Sequence, residues 1–433
     1  MSIAQQDTTA VAPHGFEVSF TSGLQRYSTR HGDLELTSVF QPVFSLSHMR
    51  AVGYEGLLRA HDSLDRPVSP LDVFGQAARI GDVLQVDRLA QSLHLENFKA
   101  LGAEREWLFL NVHPGALTDP YLAAALLANL RRLGLPPRRI VLEVLEQRAD
   151  DLERLADAVR HFRERGFLIA LDDFGAGHSN VERVWQLNPD IVKLDRSLLA
   201  PGAIRPQGSS ILPGLVSLLH EAGKLVLIEG IETESEALLA LACDADFVQG
   251  FYFGRPSALV TDAGASTAVI AGLTERNRAL TEMREKRDAS RLAPYVRAFE
   301  RAAERLAAGE PLDEVCWNFL SLDDAARCFL LDDNGRQSER NVVLRADRAV
   351  QMSRFLPLSD AKGASWLRRP YFRAAIREPQ RVQVTRPYLS INEATLCVTL
   401  SIATRIGERI AVLCGDIDWH HESEESTSPH AMI

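Results

Sequence analysis

Seven short apolar segments in the first 260 residues carry an acid, an amide or a lysine at or near their C-terminal ends. These residues are Glu55, Asn111, Glu143, Asp172, Asp173, Lys193, Asp195, Glu229, Glu232 and Gln249. A single acid in such a position is most often a helix cap or a surface residue. Seven strand ends of the same kind indicate a shared site instead.

Glu, Asp and Asn side chains crowded at one place would repel one another unless cations neutralise them. Their oxygen atoms suit Mg²⁺ or Mn²⁺, whereas zinc prefers His and Cys. Two such ions can clamp the attacking and leaving oxygens of a phosphodiester. The residue types therefore predict an oxygen-rich, two-metal site suited to phosphodiester cleavage.

Eight apolar runs alternate with helix-like segments and would position these residues. The runs are Val39–Leu46, Ala51–Leu58, Trp107–Val112, Ile140–Leu145, Phe167–Leu171, Asp190–Leu194, Leu225–Ile228 and Phe247–Phe253. Several are almost continuously apolar, which is typical of strands buried on both faces. Helix-like segments such as Pro70–Leu101 and Asp150–Arg165 separate most of them. The pattern predicts a (β/α)8 TIM-type barrel, in which the C-terminal strand ends converge on one face.

The connection between the first two runs contains only a few residues, around Ser47–Arg50. A parallel crossover needs a dozen or more residues. The sequence therefore predicts that the first strand of the barrel is antiparallel to the second.

The chain is predicted to divide into an N-terminal segment (1–29), the barrel (30–262), a helical linker (263–309), a small α+β domain (310–421) and a disordered tail (422–433). The linker is rich in Ala, Glu, Arg and Leu. The α+β domain rests on the strand candidates Cys328–Leu331, Thr395–Ala403 and Arg409–Cys414. The tail has too few apolar residues to form a core.

The composition is that of a globular protein: of 433 residues, 46% are hydrophobic and 24% are charged. The net charge of −10 disfavours binding to a nucleic acid polymer, which normally requires a basic surface. The five cysteines form no CxxC pair and are expected to be reduced thiols. Because neither a membrane-length apolar stretch nor a signal-peptide pattern is seen, we expect a cytoplasmic protein without membrane association.

Six ordered motifs together resemble the EAL family of cyclic di-GMP phosphodiesterases over approximately residues 30–260. The motifs are Gln41-Pro42-Val43, Glu55-Gly56-Leu57 within Tyr54–Arg59, Leu171–Ser179, Val192–Asp195, Ile228–Glu232, and Val248–Phe253 followed by Arg255-Pro256. Each motif alone is weak, whereas the ordered set is specific.

The resemblance implies roles for particular residues. Glu55, Asn111, Glu143, Asp172, Asp173 and Asp195 would be ligands of two Mg²⁺ or Mn²⁺ ions. Lys193, Glu229 and Gln249 would position or activate the attacking water, and Arg59 would hold a substrate phosphate. Glu146 would anchor a loop, Phe174–Asn180, that contains Gly175 and Gly177 and is linked to metal binding and dimerisation in the family. Glu232 would have either a supporting role or a capping one. A homodimer through the barrel is implied in the same way.

The sequence departs from the family pattern at four places. Gly56 stands where Ala is usual, Val112-His113 replaces Leu-Ser, Leu145 replaces Thr, and His178 replaces Tyr. None of these changes deletes an implied ligand. The expected activity is hydrolysis of cyclic di-GMP to linear pGpG. The alternatives are a cyclic di-GMP receptor that signals through a protein partner, and a scaffold with no nucleotide affinity.

The segments Trp366–Phe372 and Arg386–Ser390 resemble PAS/Cache-like sensory modules, which some EAL proteins carry after the barrel. Arg and Tyr beside a strand could receive a small anionic ligand. Ordinary surface pairs and packing would explain the same residues. The resemblance implies a C-terminal domain that controls the barrel.

Overall fold

The computed structural model describes residues 10–11, 16–21, 24–145, 151–176, 181–199, 211–258, 263–344, 361–390 and 395–419. The strands are β1 Ala10–Val11, β2 Glu17–Thr21, β3 Leu24–His31, β4 Leu34–Ser45, β5 Arg50–His61, β6 Pro67–Val68, β7 Trp107–Val112, β8 Ile140–Leu145, β9 Leu168–Phe174, β10 Ile191–Leu194, β11 Leu225–Ile228, β12 Phe247–Val248, β13 Ala325–Asp332, β14 Gln383–Val384, β15 Tyr388–Leu389, β16 Leu396–Ile406 and β17 Arg409–Asp418. The helices are α1 Pro70–Ile80, α2 Val83–Ala100, α3 Pro114–Thr118, α4 Pro120–Leu133, α5 Leu152–Glu164, α6 Val181–Leu187, α7 Leu212–Glu221, α8 Glu234–Ala242, α9 Ala263–Ala307, α10 Leu312–Leu320 and α11 Pro370–Arg377.

Eight strands close into a barrel in the order β4-β12-β11-β10-β9-β8-β7-β5, and β5 pairs again with β4. Strand β4 runs antiparallel to both of its neighbours. The other neighbouring pairs in the barrel are parallel. The predicted TIM-type barrel with an antiparallel first strand is therefore confirmed.

The base of the barrel is filled by an apolar layer to which seven of its strands contribute. Its members are Val43, Phe109, Val141, Ala170, Ile191, Leu227 and Phe247. On β5 the corresponding position is Gly53, where a Cβ would lie 2.6 Å from the ring of Phe109. The missing side chain leaves room for that ring within the layer. A larger apolar core lies between the outer face of the strands and the surrounding helices.

Two local predictions in this unit differ from the structure, and some strands were not predicted. The helical segment predicted at Pro70–Leu101 is two helices, because Gly81 adopts a left-handed conformation (φ 75°) and ends α1. The strand predicted at Phe247–Phe253 is only the two residues of β12, and a turn follows it. Part of the N-terminal segment forms the paired strands β2 and β3, and β3 also pairs with β4.

The remaining strands form an antiparallel sheet in the order β13-β17-β16-β14, and β15 also pairs with β16. The C-terminal half of α9 and helix α10 pack on this sheet through a core that contains Tyr295, Phe299 and Phe319. A separate cluster contains Phe329, Tyr371 and Phe372 and includes helix α11. This part of the chain is thus α+β, as predicted, whereas its resemblance to PAS/Cache-like modules stays a prediction.

The chain divides into two compact units, Met1–Ala279 and Leu280–Ile433, and the boundary falls within α9. This helix was predicted as a linker, but each of its ends belongs to a core. Ile270 and Leu273 are in the barrel core, and Phe299 and Leu306 are in the core of the second unit. Among the described residues, no helix combines the length and the apolar character needed to cross a membrane.

Candidate active site

Seven of the predicted site residues form one polar layer directly above the apolar layer of the barrel. Each lies two residues beyond an apolar-layer position, and side chains two apart on a strand point to the same face. The pairs are Gly53 and Glu55, Phe109 and Asn111, Val141 and Glu143, Ala170 and Asp172, Ile191 and Lys193, Leu227 and Glu229, and Phe247 and Gln249. The strand register therefore brings the predicted residues together at the C-terminal mouth of the barrel.

Lys193 lies at the centre of this layer and is almost completely buried (1% exposed). Its Nζ lies 2.5 Å from Glu143 Oε1, 2.6 Å from Glu229 Oε1 and 2.9 Å from Asp172 Oδ1. Glu55 Oε1 is 4.0 Å away. One ammonium group thus faces four carboxylates, and the layer carries an excess of negative charge when all of them are ionised.

The carboxylate of Glu55 is held by two amides. Asn111 Nδ2 donates to Glu55 Oε1 at 3.0 Å, and Gln249 Nε2 donates to Glu55 Oε2 at 2.7 Å. Both amide groups leave their carbonyl oxygens available to other partners. The geometry fixes the orientation of Glu55 from both sides.

Gln41 belongs to this layer but was not predicted as a site residue. Its Oε1 lies 3.4 Å from Gln249 Nε2, and its Nε2 donates to the carbonyl of Gly254 at 3.1 Å. On the antiparallel strand β4, the position above the apolar layer lies two residues before Val43 rather than after an apolar residue. The predicted antiparallel direction of this strand, which places the site residue before the apolar-layer residue, could have identified Gln41.

Burial and mutual repulsion shift the protonation of this cluster. Burial raises the pKa of Glu143 well above its ordinary value, against the opposing effect of Lys193. Burial also raises the pKa of Glu229 to about 8, with further contributions from Asp172 and Glu55. Burial alone would lower the pKa of Lys193, but Asp172, Glu143 and Glu229 hold it well above its ordinary value. The lysine therefore stays charged, while Glu143 and Glu229 release their protons at a higher pH than ordinary glutamates do.

The donor set fits a divalent cation chemically. Glu143 Oε2 and Gln249 Oε1 are buried and have no hydrogen-bond partner in the described part of the chain. Buried polar oxygens without a partner are costly unless a cation or water reaches them. Among the described residues, no three acids, histidines or cysteines already converge as metal ligands. The carboxylates would have to turn from Lys193 toward the ion.

Asp173 and Asp195 lie at the edge of the layer. Asp173 has a left-handed backbone (φ 58°), a conformation that Asp tolerates better than most residues. Burial and the neighbouring charge of Asp172 raise its pKa, and Asp195 adds to the effect. Asp195 Oδ1 accepts a hydrogen bond from the backbone of Ser197 at 2.9 Å. Neither residue has an ion pair with Lys193 among the described contacts.

Arg59 is half-buried further along β5, where Nη1 donates to the carbonyl of Leu58 at 2.8 Å. Burial lowers its pKa, and Glu55 partly offsets this effect. Glu232 is directed elsewhere: its Oε1 pairs with Arg196 Nη1 at 2.7 Å, and the side chain is largely exposed. The predicted anchor Glu146, together with Gly177 and His178 of the predicted loop, lies outside the described residues.

Two departures from the family pattern have local explanations. A Cβ on Gly56 would lie 2.9 Å from His94 Cγ, so the missing methyl group makes room for a histidine of α2. His94 Nδ1 in turn lies 2.7 Å from Ser38 Oγ. His113 caps helix α3, because its Nδ1 accepts from the backbone of Gly115 at 3.1 Å. His94 thus acts in packing and His113 in capping, and neither belongs to the polar layer.

Gly250 explains how Gln249 reaches the layer. A Cβ at this position would lie 2.1 Å from the carbonyl oxygen of Ile231, a distance that no side chain permits. The close approach allows the carbonyl of Gln249 to accept a hydrogen bond from Ile231 at 3.1 Å. The segment after β11 and the turn after β12 are thereby held together at the barrel mouth.

Curated proteins similar to about half of the chain include two with informative names. The identity is 29% over 230 residues with the biofilm architecture maintenance protein MbaA of Vibrio cholerae, which covers 52% of this chain and 29% of MbaA. It is 28% over 229 residues with the cyclic di-GMP phosphodiesterase RocR of Pseudomonas aeruginosa, which covers 51% of this chain and 57% of RocR. The match spans less than two thirds of either relative.

A solved structure resembles nearly the whole chain. It is the crystal structure of the Bacillus subtilis YkuI protein, with an EAL domain, in complex with substrate c-di-GMP and calcium. The TM-score is 0.74 at 20% identity, and the alignment covers 89% of this chain and 96% of YkuI. At this identity the likeness concerns the fold.

The EAL domain family model matches residues 25–256. This range contains every residue of the polar layer and covers more than half of the chain. The protein therefore belongs to the EAL domain family.

Proposed function

We propose that this protein is a metal-dependent phosphodiesterase that hydrolyses cyclic di-GMP to linear pGpG. The observation that carries the proposal is the polar layer around Lys193, in which four carboxylates and three amides accompany one buried ammonium. The name of RocR and the ligands in the YkuI crystal structure support the same substrate.

Six residues would hold two Mg²⁺ or Mn²⁺ ions: Glu55, Asn111, Glu143, Asp172, Asp173 and Asp195. Bound ions would neutralise charge on the phosphate and on the attacking and leaving oxygens. The chain itself supplies the orientation of its donors, since Asn111 and Gln249 fix the carboxylate of Glu55. The excess negative charge of the layer favours cations over any anionic occupant.

The remaining layer residues would act on water and phosphate. The raised pKa of Glu229 suits a group that accepts a proton near neutral pH. Its side chain is 22% exposed, so solvent reaches it. Lys193 would donate hydrogen bonds to developing negative charge on the phosphate. Gln249 would orient the water or a ligand, and Arg59 would hold a second phosphate oxygen.

We further propose that the protein is a cytoplasmic homodimer formed through the barrel, and that its C-terminal domain controls hydrolysis by binding a small ligand. The family resemblance supports the dimer. The described helices support a protein outside the membrane, since none could cross it. The separate core of the second unit supports an independent ligand-binding domain.

The proposal is tested by incubating the purified full-length chain with cyclic di-GMP and either Mg²⁺ or Mn²⁺ and separating the products by chromatography. We expect pGpG to appear with metal and not with a chelator. Saturable binding of cyclic di-GMP without turnover in either metal would instead identify a receptor. The absence of both binding and turnover would identify a scaffold.

The Glu55→Ala variant is the control for the site. It removes one implied metal ligand and the acceptor of both amide hydrogen bonds. We expect turnover to disappear while the circular dichroism spectrum stays that of the wild type. Full activity in this variant would show that the site has been assigned wrongly.

A further inference from the structure

A cavity of about 470 Å³ lies in the second unit, between the start of α11 and the strands β14 and β15. Its volume is within the range of small-molecule sites, roughly 300–1,000 Å³. Its lining includes Arg369, Tyr371, Val384, Arg386, Pro387 and Tyr388. These residues combine apolar and aromatic walls with two cationic groups.

The charge of this lining is unusual for the chain as a whole. The cavity has two arginines and no acidic residue, although the net charge of the protein is −10. No ion pair of Arg369 or Arg386 with a carboxylate is found among the described residues. Arg369 lies against the ring of Trp366, with its Cζ 5.8 Å from the ring centroid. Both guanidinium groups can therefore receive an anion.

A small adjoining chamber makes the inner wall polar and rigid. It shares Arg369, Tyr371 and Tyr388 with the larger cavity. The hydroxyl of Tyr388 lies 2.6 Å from Thr399 Oγ1, which donates to Asp416 Oδ1 at 2.7 Å. Arg327 Nε donates to the other oxygen of Asp416 at 2.7 Å.

This chain of contacts fixes the wall of the cavity and sets its charge. Asp416 neutralises Arg327 inside the sheet, so the positive charge offered to a ligand comes from Arg369 and Arg386. The rings of Tyr371 and Tyr388 stack with centroids 6.5 Å apart, which orders the aromatic wall. A preformed wall lowers the entropic cost of ordering a ligand.

We infer that this cavity binds a small organic anion whose carboxylate contacts Arg369 and Arg386. The apolar body of the ligand lies against the tyrosine rings and the side chains of Val384 and Pro387. Arginine is suited to such a ligand because its planar fork matches a carboxylate. The inference names the kind of ligand by which the C-terminal domain would control the barrel, and in that respect it rests on the proposed function. Binding of the ligand does not itself require hydrolysis of cyclic di-GMP.

The test uses three probes with the full-length chain: benzoate, its neutral analogue benzamide, and inorganic phosphate. Binding is measured by ligand-observed NMR and calorimetry at millimolar concentrations, without cyclic di-GMP. We expect saturable benzoate binding. Benzamide lacks the charge and phosphate lacks the apolar body, so each should bind more weakly by about tenfold or more.

Matched variants locate the site. The Arg369→Gln/Arg386→Gln double variant should bind benzoate at least about tenfold more weakly. Arg409→Gln removes one positive charge from an exposed position on β17 outside the cavity, and its affinity should match that of the wild type. Ala374→Trp should block binding by filling the cavity without changing its charge. Thermal melting checks that each variant is folded.

The inference is overturned if benzoate shows no saturable binding, if benzamide or phosphate binds as well as benzoate, or if the double variant and Arg409→Gln behave alike. Because the readout is binding of the probe, a barrel without phosphodiesterase activity would leave this result unaffected. Conversely, an active barrel with no benzoate site would contradict this inference alone.

Discussion

Lys193 Nζ lies 2.5 Å from Glu143 Oε1, and neither side chain is more than 2% exposed. The lysine is thus the counter-ion of a fully buried carboxylate, in addition to contacting Asp172 and Glu229. In the metal-free protein this contact offsets the repulsion within the layer. Folding and the proposed chemistry therefore depend on the same ammonium group, and four of the predictions below concern its surroundings.

Replacing Lys193 with Met should destabilise the metal-free protein at neutral pH. Removing one partner of a buried ion pair typically costs about 3–5 kcal/mol, because the other charge stays buried. Urea unfolding in the presence of a chelator measures the effect, and Mg²⁺ should restore part of the loss. The control Lys99→Met removes an exposed lysine of α2 and should change stability by less than about 0.5 kcal/mol. Equal stability of both variants would contradict the role of Lys193.

The stability of the metal-free protein should fall as pH rises from the ordinary carboxyl pKa of 4.5 to about 8. Burial raises the pKa of Glu229 to about 8, so the folded state keeps a proton that the unfolded state releases across this window. The slope contributed by one proton is at most about 1.4 kcal/mol per pH unit. Urea unfolding at a series of pH values should show a flatter profile for Glu229→Gln than for the wild type. The exposed Glu104→Gln variant should retain the wild-type slope.

Replacing Gln249 with Leu should weaken metal binding and leave the fold intact. Glu55 Oε2 would lose the amide that donates to it at 2.7 Å. The loss of such a supporting hydrogen bond typically lowers metal affinity by about 10–100-fold. Calorimetric titration with Mn²⁺ measures the change. Gln85→Leu, at an exposed position of α2, is the control, and indistinguishable affinities in the two variants would refute the role of Gln249.

Replacing Asp173 with Asn should abolish turnover without destabilising the protein. Asn accepts the left-handed conformation found at this position (φ 58°), and the substitution removes a charge that burial and Asp172 disfavour. Loss of an ionised metal ligand should reduce kcat/KM by at least about a hundredfold. Asp244→Asn is the matched control, because Asp244 is also left-handed (φ 63°) but lies after α8. Retained activity in Asp173→Asn would exclude Asp173 as a ligand.

Replacing Gly56 with Ala, the residue usual in the family, should destabilise this protein. The new methyl group would lie 2.9 Å from His94 Cγ, and such overpacking costs about 1–3 kcal/mol. Gly75→Ala should have the opposite effect, since the space around Gly75 in α1 is open and Ala is the better helix former.

A double-mutant cycle shows whether His94 causes this cost. His94→Ala alone removes the contact with Ser38 Oγ and should also destabilise the protein. In the double variant, the shortened side chain at position 94 leaves space for the new methyl group. The double variant should therefore lose less unfolding free energy than the sum of the losses in the two single variants. Strict additivity would show that the cost of the methyl group arises elsewhere.

Much of the polar layer could be predicted from the sequence, because the positions of its side chains depend on the local alternation of residues along each strand. Side chains alternate along a strand, and the C-terminal ends of parallel strands meet, so Asn111, Lys193 and Glu229 follow from local sequence. Gln41 did not follow, because it lies on the one antiparallel strand, where the order of positions is reversed. Its place depends on the partner Glu55 across the β4–β5 pair.

Other features depend on contacts between distant segments, which sequence patterns do not encode. The space for His94 exists only because α2 packs against Gly56 of β5. The pairing of Glu232 with Arg196 depends on the loops that follow two different strands. The paired strands β2 and β3 lack a strongly apolar pattern, and part of their stabilisation comes from the pairing of β3 with β4.

The buried ammonium of Lys193 has a consequence for the life of the protein in the cell. Because it occupies the centre of the carboxylates before any ion arrives, the barrel can fold and persist while divalent metal is scarce. Under the proposed function, metal loading would then be a reversible step that follows synthesis. The supply of Mg²⁺ or Mn²⁺ would set how much of the existing protein is active and would not limit how much protein accumulates.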